Sequence, residues 1–474
     1  MIDLLKLEQY TENNRIEAKK ALGGLPHSIW ETYSAFANTL GGVILLGVEE
    51  YRDKSFHTVN LPDPEGMVKE FWELVNDPNK ASVNILTSKQ VRIETVNGDR
   101  IIVIEVPRAQ RSDRPVYIDR DPVSGSYIRN GEGDYRCTKE ELRAMYRDAE
   151  LRTQDMLVLE NETLSAFCAD TILAYRKRMR RTRPNHAWED LPDEDFLVKL
   201  GAMGLGKDGG MHPTAAGMLM FGRLTGILKL YPEYYLDYRV EADDTNEWTD
   251  RVSTASGTWS GNVLDFYFLV SSKLKLFPDG SPINKAVGEA LANCLINADY
   301  YGQKGLIILR KKNLIIMSNP GDFRVDLTAA RDGGLSDPRN GVLMKMFNLI
   351  DVSSQTGSGI PDILYAWKMQ GWSEPTIIQS FDPNRVQLSL PLTKTAEKRN
   401  FVKHAENRDL IEASAQKDMI ISYLTEHISA GADELCTLLN VKAPRVSALL
   451  SELIGEEIVT VRDDGGAAVY KLKA

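Results

Sequence analysis

A chain of 474 residues is longer than one hydrophobic core can organise, so two to four domains are expected. With 43% apolar and 26% charged residues it has the composition of an ordinary folded protein, and no apolar run nears the roughly 18 residues of a membrane span. Four cysteines (Cys137, Cys168, Cys294, Cys436) lie far apart with no Cys-x-x-Cys pair, which argues against disulfides and thiolate zinc and for a cytoplasmic setting.

In chain order, residues 1–150 read as mixed α and β. A helical pattern over Ser28–Asn38 runs into Gly41-Gly42 and the strand-like Val43–Leu46, with Ala35, Phe36 and Ala37 as core and Asn38 as the helix-end cap. Asn97-Gly98 is a two-residue hairpin signal between Val91–Glu94 and Ile101–Val106, and Pro107 ends the second strand. Tyr127–Gly131 reads as a short strand into a turn. Thr138 with Glu141 three residues on is a capping box opening a helix to Asp148.

Residues 151–280 read as a mixed connector. It holds Arg176, Lys177, Arg178, Arg180, Arg181 and Arg183, either a phosphate-facing patch or a solvated helix end, and a helix start at Thr214 leading into Ala215–Phe221. From 281 to 392 a second α/β pattern follows: a long helix at Ile283–Asp299, then strands at Leu306–Arg310 and Leu314–Ser318. Residues 393–416 are polar and charged, as a linker is, and 417–474 read as three helices and two strands. A net charge of −10 opposes a protein that coats nucleic acid over its whole surface, while leaving room for local basic patches.

Near the amino terminus Glu12 and Glu17 are followed by Lys19, and Glu49-Glu50 stands just past a strand. Carboxylates converging in this way suit a hard divalent cation, although the same spacing also suits solvated surface acids. The segments Glu12–Lys19, Tyr33–Gly42 (Tyr-Ser-Ala-Phe-Ala-Asn-Thr-Leu-Gly-Gly) and Leu46–Glu50, with Arg114–Tyr117 and Tyr127–Gly131, resemble the Schlafen AlbA-like domain over roughly residues 1–150. Bacterial members of that family are described as DNA-binding regulators, and the vertebrate core is a metal-dependent endoribonuclease acting on structured RNA. The resemblance implies catalytic acids at Glu12, Glu17 and Glu50 holding Mg²⁺ or Mn²⁺, with Lys19 beside the scissile phosphate and Arg15, Lys19 and Arg129 on nucleic acid. Two departures stand out. The third acid is usually Asp, and one AlbA-like copy stands where the vertebrate core has two, which implies a homodimer or higher homo-oligomer.

In the second α/β segment Glu289, Asn293 and Asn297 recur at i, i+4 and i+8, a row along one side of a helix. Such a row can orient a water and hold Mg²⁺ beside phosphates, and glycines at a helix start let backbone N–H groups approach them. Together with Thr214–Gly222, Ser318-Asn319-Pro320-Gly321, Pro338-Arg339-Asn340 and Gly357-Ser358-Gly359-Ile360, the row resembles the GHKL ATP-binding domain of proteins named RecG carboxy-terminal-like, over about 190–392. The resemblance implies bound ATP with Mg²⁺. Glu289 would be general base, Asn293 the metal ligand, Asn297 a neighbouring site residue, Asn319 the adenine reader in place of Asp, and Gly321, Gly357 and Gly359 phosphate-side glycines. The family's His-Arg-Asp-Tyr is Asn297-Ala298-Asp299-Tyr300 here, so weak or absent hydrolysis is expected. No Gly-x-x-x-x-Gly-Lys-[Ser/Thr] motif occurs, which excludes a helicase motor built on one.

The carboxy-terminal pattern is that of a winged helix-turn-helix, with Lys442 and Arg445 opening its third helix as nucleic-acid contacts; a protein-docking winged helix is the rival. The expected whole is an α/β (α+β) chain: AlbA-like domain, GHKL-like sandwich, winged helix. Its expected work is nucleic-acid binding (RNA or DNA) coupled to ATP, in regulation, stress or phage defence, with possible tRNA-type endoribonuclease activity. The alternative is a non-catalytic, nucleotide-responsive transcription regulator. No membrane partner is expected.

Overall fold

Val43–Leu46 and Ile101–Val106 are apolar at nearly every position because each lies in a sheet with core on both faces. The computed structural model describes residues 12–241, 248–278, 280–325, 327–353, 358–381, 383–394, 429–439, 443–455, 458–464 and 467–473, with single positions 4, 7, 10, 420, 423, 424 and 427. The first sheet has the order β1 (Ile16–Lys19), β2 (Gly42–Leu46), β6 (Asp99–Val106), β5 (Val91–Val96), with β1 parallel to β2 and the other pairs antiparallel. Ile44, Leu46, Ile102 and Ile104 pack with α1 (Ile29–Asn38) and α2 (Pro64–Val75) through Trp30, Phe36 and Phe71. The alternate residues Leu45, Ile101 and Val103 meet Ile16, Val48 and Phe56 on the other face. Here β3 (Val48–Glu50) pairs with β4 (Phe56–Thr58).

Asn97 (φ 54°) and Gly98 (φ 91°) make the type I′ turn of the β5–β6 hairpin. Gly41 has φ 72°, and a Cβ on Gly42 would stand 2.6 Å from the Phe36 ring, so the Gly-Gly pair is a packing turn, as expected. Asn38 is not the helix cap. Thr39 occupies that position, and the buried Asn38 amide donates to the carbonyls of Val116 (2.8 Å) and Tyr127 (3.0 Å) and accepts from Val116 N–H (2.8 Å). It ties α1 to β7 (Tyr127–Asn130), which pairs with β8 (Gly133–Arg136). The Thr138–Glu141 capping box opens α3 (Lys139–Ala149).

The connector supplies α4 (Ala169–Thr182) and α5 (Ala215–Phe221), the latter capped by the Thr214 hydroxyl accepting from Gly217 N–H. Four of the six basic residues on and just after α4 are tied to protein. Arg176 pairs with Asp193 and lies over Phe196, Arg180 pairs with Glu189, and Arg178 and Arg183 donate to the carbonyls of Ile350 and Asn348. The sheet that follows starts before residue 281. Its order is β10 (Trp248–Ser253), β9 (Leu236–Glu241), β11 (Leu306–Lys311), β12 (Leu314–Pro320), β14 (Asn384–Pro391), β13 (Thr376–Phe381), with β9 parallel to β11. The boundary expected at 281 therefore falls inside one sheet. α6 (Pro282–Asn297) packs on β12, and α7 (Gly341–Leu349) and α8 (Gly359–Met369) pack against α6.

Met1–Gln370 with Glu374–Leu392 form one compact unit, and Gly371–Ser373 with Thr393–Ala474 a second. In the second, α9 (Ala432–Leu439) and α10 (Ala443–Gly455) precede the antiparallel pair β16 (Val459–Asp464) and β17 (Ala467–Leu472), and β15 (Ala430–Gly431) pairs with β17. Leu435, Val446, Leu449, Leu450 and Leu453 fill its core. Positions 395–419, most of the expected linker, lie outside the described residues. No helix among the described residues is long and apolar enough to cross a membrane.

Candidate functional site

The parallel pairing of β1 with β2 sets Glu17 beside Ile44, and β3 carries Glu50 back to the same end of the sheet. Glu12 accepts a hydrogen bond from Ala18 N–H at 3.1 Å. Burial raises the Glu12 carboxyl above its ordinary value, and the nearby charges of Glu17 and Glu50 push the same way. The three acids are thus near enough for their charges to act on one another.

Their charge is already balanced from within. Glu17 Oε1 lies 2.8 Å from Lys19 Nζ and Oε2 lies 2.8 Å from Arg129 Nη2. Arg129 also pairs with Asp134 at 2.9 Å, donates to the Asn13 carbonyl and lies over the Phe36 ring. Glu50 meets Lys54 at 3.4 Å, and its buried Oε1 has no hydrogen-bond partner among the described residues. Among the described residues no three His, Cys, Asp or Glu side chains are gathered to hold a metal ion. Arg129, expected on nucleic acid, has a side chain only 1% exposed and acts as an internal counter-charge. Arg15 is exposed, and Lys19 is half-buried against Glu17.

The second site is an open cleft over α6, lined by Asn293, Asn297, Asn319 and Gly359 and walled by Ile296, Met317, Ile363 and Leu388. A Cβ on Gly359 would stand 2.8 Å from Asn293 Nδ2 and 3.0 Å from Glu289 Oε1, so a glycine lets the start of α8 close on that pair. Glu289 is buried, and burial raises its carboxyl above the ordinary value, with Asp362 adding to the rise. At the other end Asn319 Nδ2 donates to the carbonyls of Pro320 (3.1 Å) and Asn297 (3.4 Å). Its Oδ1 is left as an acceptor, met by the Cys294 thiol at 3.5 Å, which burial pushes up to about 12 and so keeps neutral.

Two of the expected ligands also carry structural contacts. Asn297 supplies its backbone carbonyl to Arg339 Nε at 3.1 Å and its side-chain oxygen to Arg339 N–H. Gly321 (φ 96°) gives its N–H to the Asn384 carbonyl, and a Cβ there would stand 2.9 Å from the Arg339 guanidinium. Gly357 and Lys442 lie outside the described residues, and Arg445 is placed only by its position in the first turn of α10.

Between the two sites, inside the larger unit, runs a buried ion network that the sequence reading did not single out. Asp322 accepts from Arg114 Nη1 at 2.6 Å, from Arg339 Nη2 at 3.0 Å and from Arg108. Arg339 reaches on to Asp148. Although burial opposes the charge, the three guanidinium groups hold the Asp322 carboxyl well below its ordinary range. Burial lowers Arg108 to about 10, still protonated at neutral pH. Arg114 and Arg339 belong to motifs already noted, but Arg114 stands 208 positions from Asp322 and Arg339 stands 191 from Asp148, and only the fold brings these pairs together.

Residues 12–138 match the family model described as "Schlafen, AlbA_2". This stretch is similar to Schlafen AlbA_2 domains. Residues 307–390 match "Putative ATP-dependent DNA helicase recG C-terminal", and residues 143–237 between them match a "Domain of unknown function" model. The AlbA_2 match takes in the acid cluster, and the RecG-type match takes in Asn319 and Gly359 but begins after α6. Among curated proteins nothing matches significantly. Two solved structures are similar in parts. The DIP2311 protein of Corynebacterium diphtheriae is 16% identical, with a TM-score of 0.40, covering 97% of this chain and 95% of its own. The N-terminal domain of a RecG-related protein of Nitrosomonas europaea is 29% identical, with a TM-score of 0.23, covering 29% of this chain and 95% of its own.

Proposed function

We propose that this chain is a nucleic-acid-binding protein gated by ATP, in which the cleft over α6 binds the nucleotide and the AlbA_2 domain and the carboxy-terminal helix pair meet nucleic acid. The observation that carries this reading is the locked amide of Asn319. With Nδ2 held by two carbonyls, Oδ1 faces Cys294 as an acceptor suited to the exocyclic amine of adenine. Asn293, bordering the same cleft beside Gly359, would hold Mg²⁺ under the phosphates. When bound, that ion supplies charge neutralisation for the triphosphate. Glu289 would orient a water. Asn297, spent on Arg339, and the amide at 319 favour binding and slow turnover.

The acid cluster does not fit a divalent cation as it stands, because Lys19 and Arg129 already satisfy Glu17. The reading that follows is the nucleotide-responsive regulator. The order of α9, α10 and the β16–β17 pair supports a winged helix as its DNA-reading part.

Saturating ATP with Mg²⁺ is expected to stabilise the larger unit by about 2.7 kcal/mol at a hundredfold excess over Kd. Asn293→Ala should abolish that gain, and Asn319→Leu should abolish the preference for ATP over GTP. A melting temperature indifferent to millimolar ATP refutes the gate. Bulk transfer RNA should survive incubation with the protein and Mn²⁺. Degradation that disappears in the Glu12→Ala, Glu17→Ala variant would restore the endoribonuclease reading.

A further inference from the structure

The described lining of the cleft is apolar, neutral polar or acidic at every residue but one. Arg324 is the one cationic side chain among the described residues that line it, and a triphosphate needs such a charge. The side chain is 5% exposed, yet it is poorly matched. Nη1 donates to the Pro338 carbonyl at 3.1 Å, Nη2 stands 3.5 Å from Asp337 Oδ1, and the buried Nε has no hydrogen-bond partner among the described residues. A buried, unsatisfied guanidinium donor is costly unless another state of the protein uses it. Asp337, 30% exposed, also lines the cleft, and its Oδ2 is taken by Arg111 Nε at 2.6 Å. A carboxylate bridging two guanidinium groups at the mouth of a cleft occupies the position an anionic ligand would take.

We infer that Arg324 is the anion-binding arm of this cleft and that Asp337 is its internal placeholder, displaced when the phosphates of a bound nucleotide reach the guanidinium. The inference rests on the nucleotide reading given above and adds the residue that distinguishes a nucleotide from a nucleoside. Because Asp337 is shared with Arg111 on the segment after β6, displacement also removes one of the ties between the cleft and the AlbA_2 domain. The long Arg324–Asp337 contact makes the exchange feasible, since a phosphate oxygen gives shorter, charge-assisted bonds than the one it replaces.

Calorimetric titration of the full chain with ATP·Mg²⁺, ADP, adenosine and inorganic pyrophosphate tests this. Arg324→Gln should weaken ATP and ADP about tenfold or more while leaving adenosine within about twofold. Asp337→Asn, which removes the competitor and keeps the shape, should tighten ATP. Arg324→Lys should recover part of the loss, as a point charge without the planar fork. Unchanged ATP affinity in Arg324→Gln, or equal loss of ATP and adenosine, overturns the arm while leaving nucleotide binding intact; so does Asp337→Asn that binds ATP no better. Pyrophosphate bound through Arg324 with no adenosine binding would refute the nucleotide reading and keep the anion arm for free polyphosphate. Wild-type protein that binds none of the four overturns both.

Discussion

Replacing Asp322 by Asn changes one atom at the point where Arg108, Arg114 and Arg339 meet. The amide keeps the volume but leaves three buried cations facing a neutral group that also carries a donor. Breaking a buried, hydrogen-bonded ion pair from one side costs about 3–5 kcal/mol, because the surviving charge stays desolvated. The affected unit has roughly 390 residues, and at about 2.1 cal/mol/K per residue this cost lowers its melting temperature by about 4–6 °C. Differential scanning calorimetry should show that drop in the unit's transition. The pH dependence adds a second reading. The Asp322 carboxyl is held well below its ordinary value, so its contribution is complete above the unfolded carboxylate pKa of about 3.9 and fades as pH falls further. The gap between wild type and Asp322→Asn should therefore be constant near neutrality and shrink only in acid. A shift no larger than that of Glu65→Gln, which breaks an exposed pair with Arg100, would refute the reasoning.

Three further outcomes are expected. Asn38→Ala, which strands the Val116 and Tyr127 backbone groups in the core, should cost about 3–5 kcal/mol in urea denaturation with an unchanged m value. Glu12→Gln should raise the neutral-pH melting temperature. The native carboxyl titrates above its unfolded value, so wild-type stability falls as pH rises through that window, and the advantage of the variant should vanish in acid. Gly321→Ala should destabilise by about 1–2 kcal/mol or more, from the left-handed backbone and the collision with Arg339, and circular dichroism melts measure it.

Local chemistry made the elements legible. The Asn97-Gly98 turn, the Thr138–Glu141 cap, the Thr214 cap and the α6 row are each written within a few residues, and each forms as the spacing requires. What could not be read is long-range charge pairing. Arg129 and Lys442 look alike as basic residues, and nothing local says that Arg129 is enclosed by Glu17, Asp134 and Phe36. Asn38 looked like a helix cap because its partners, Val116 and Tyr127, are some 80 to 90 residues on. The sheet boundary was missed for the same reason. Leu236–Glu241 pairs in parallel with a strand 70 residues later, and parallel pairing leaves no turn signal to find.

The 208 residues between Arg114 and Asp322 also set a schedule. At about 5–20 residues per second of synthesis, the AlbA_2 segment leaves the ribosome roughly 10–40 s before its counter-charge exists. During that interval Arg108 and Arg114 stay hydrated, and the face that carries them has no reason to close. Joining the first sheet to the second through these pairs therefore waits for Asp322, while β13 and β14 follow later still. A chain arrested before Asp322 would display a finished amino-terminal fold with an open, cationic flank.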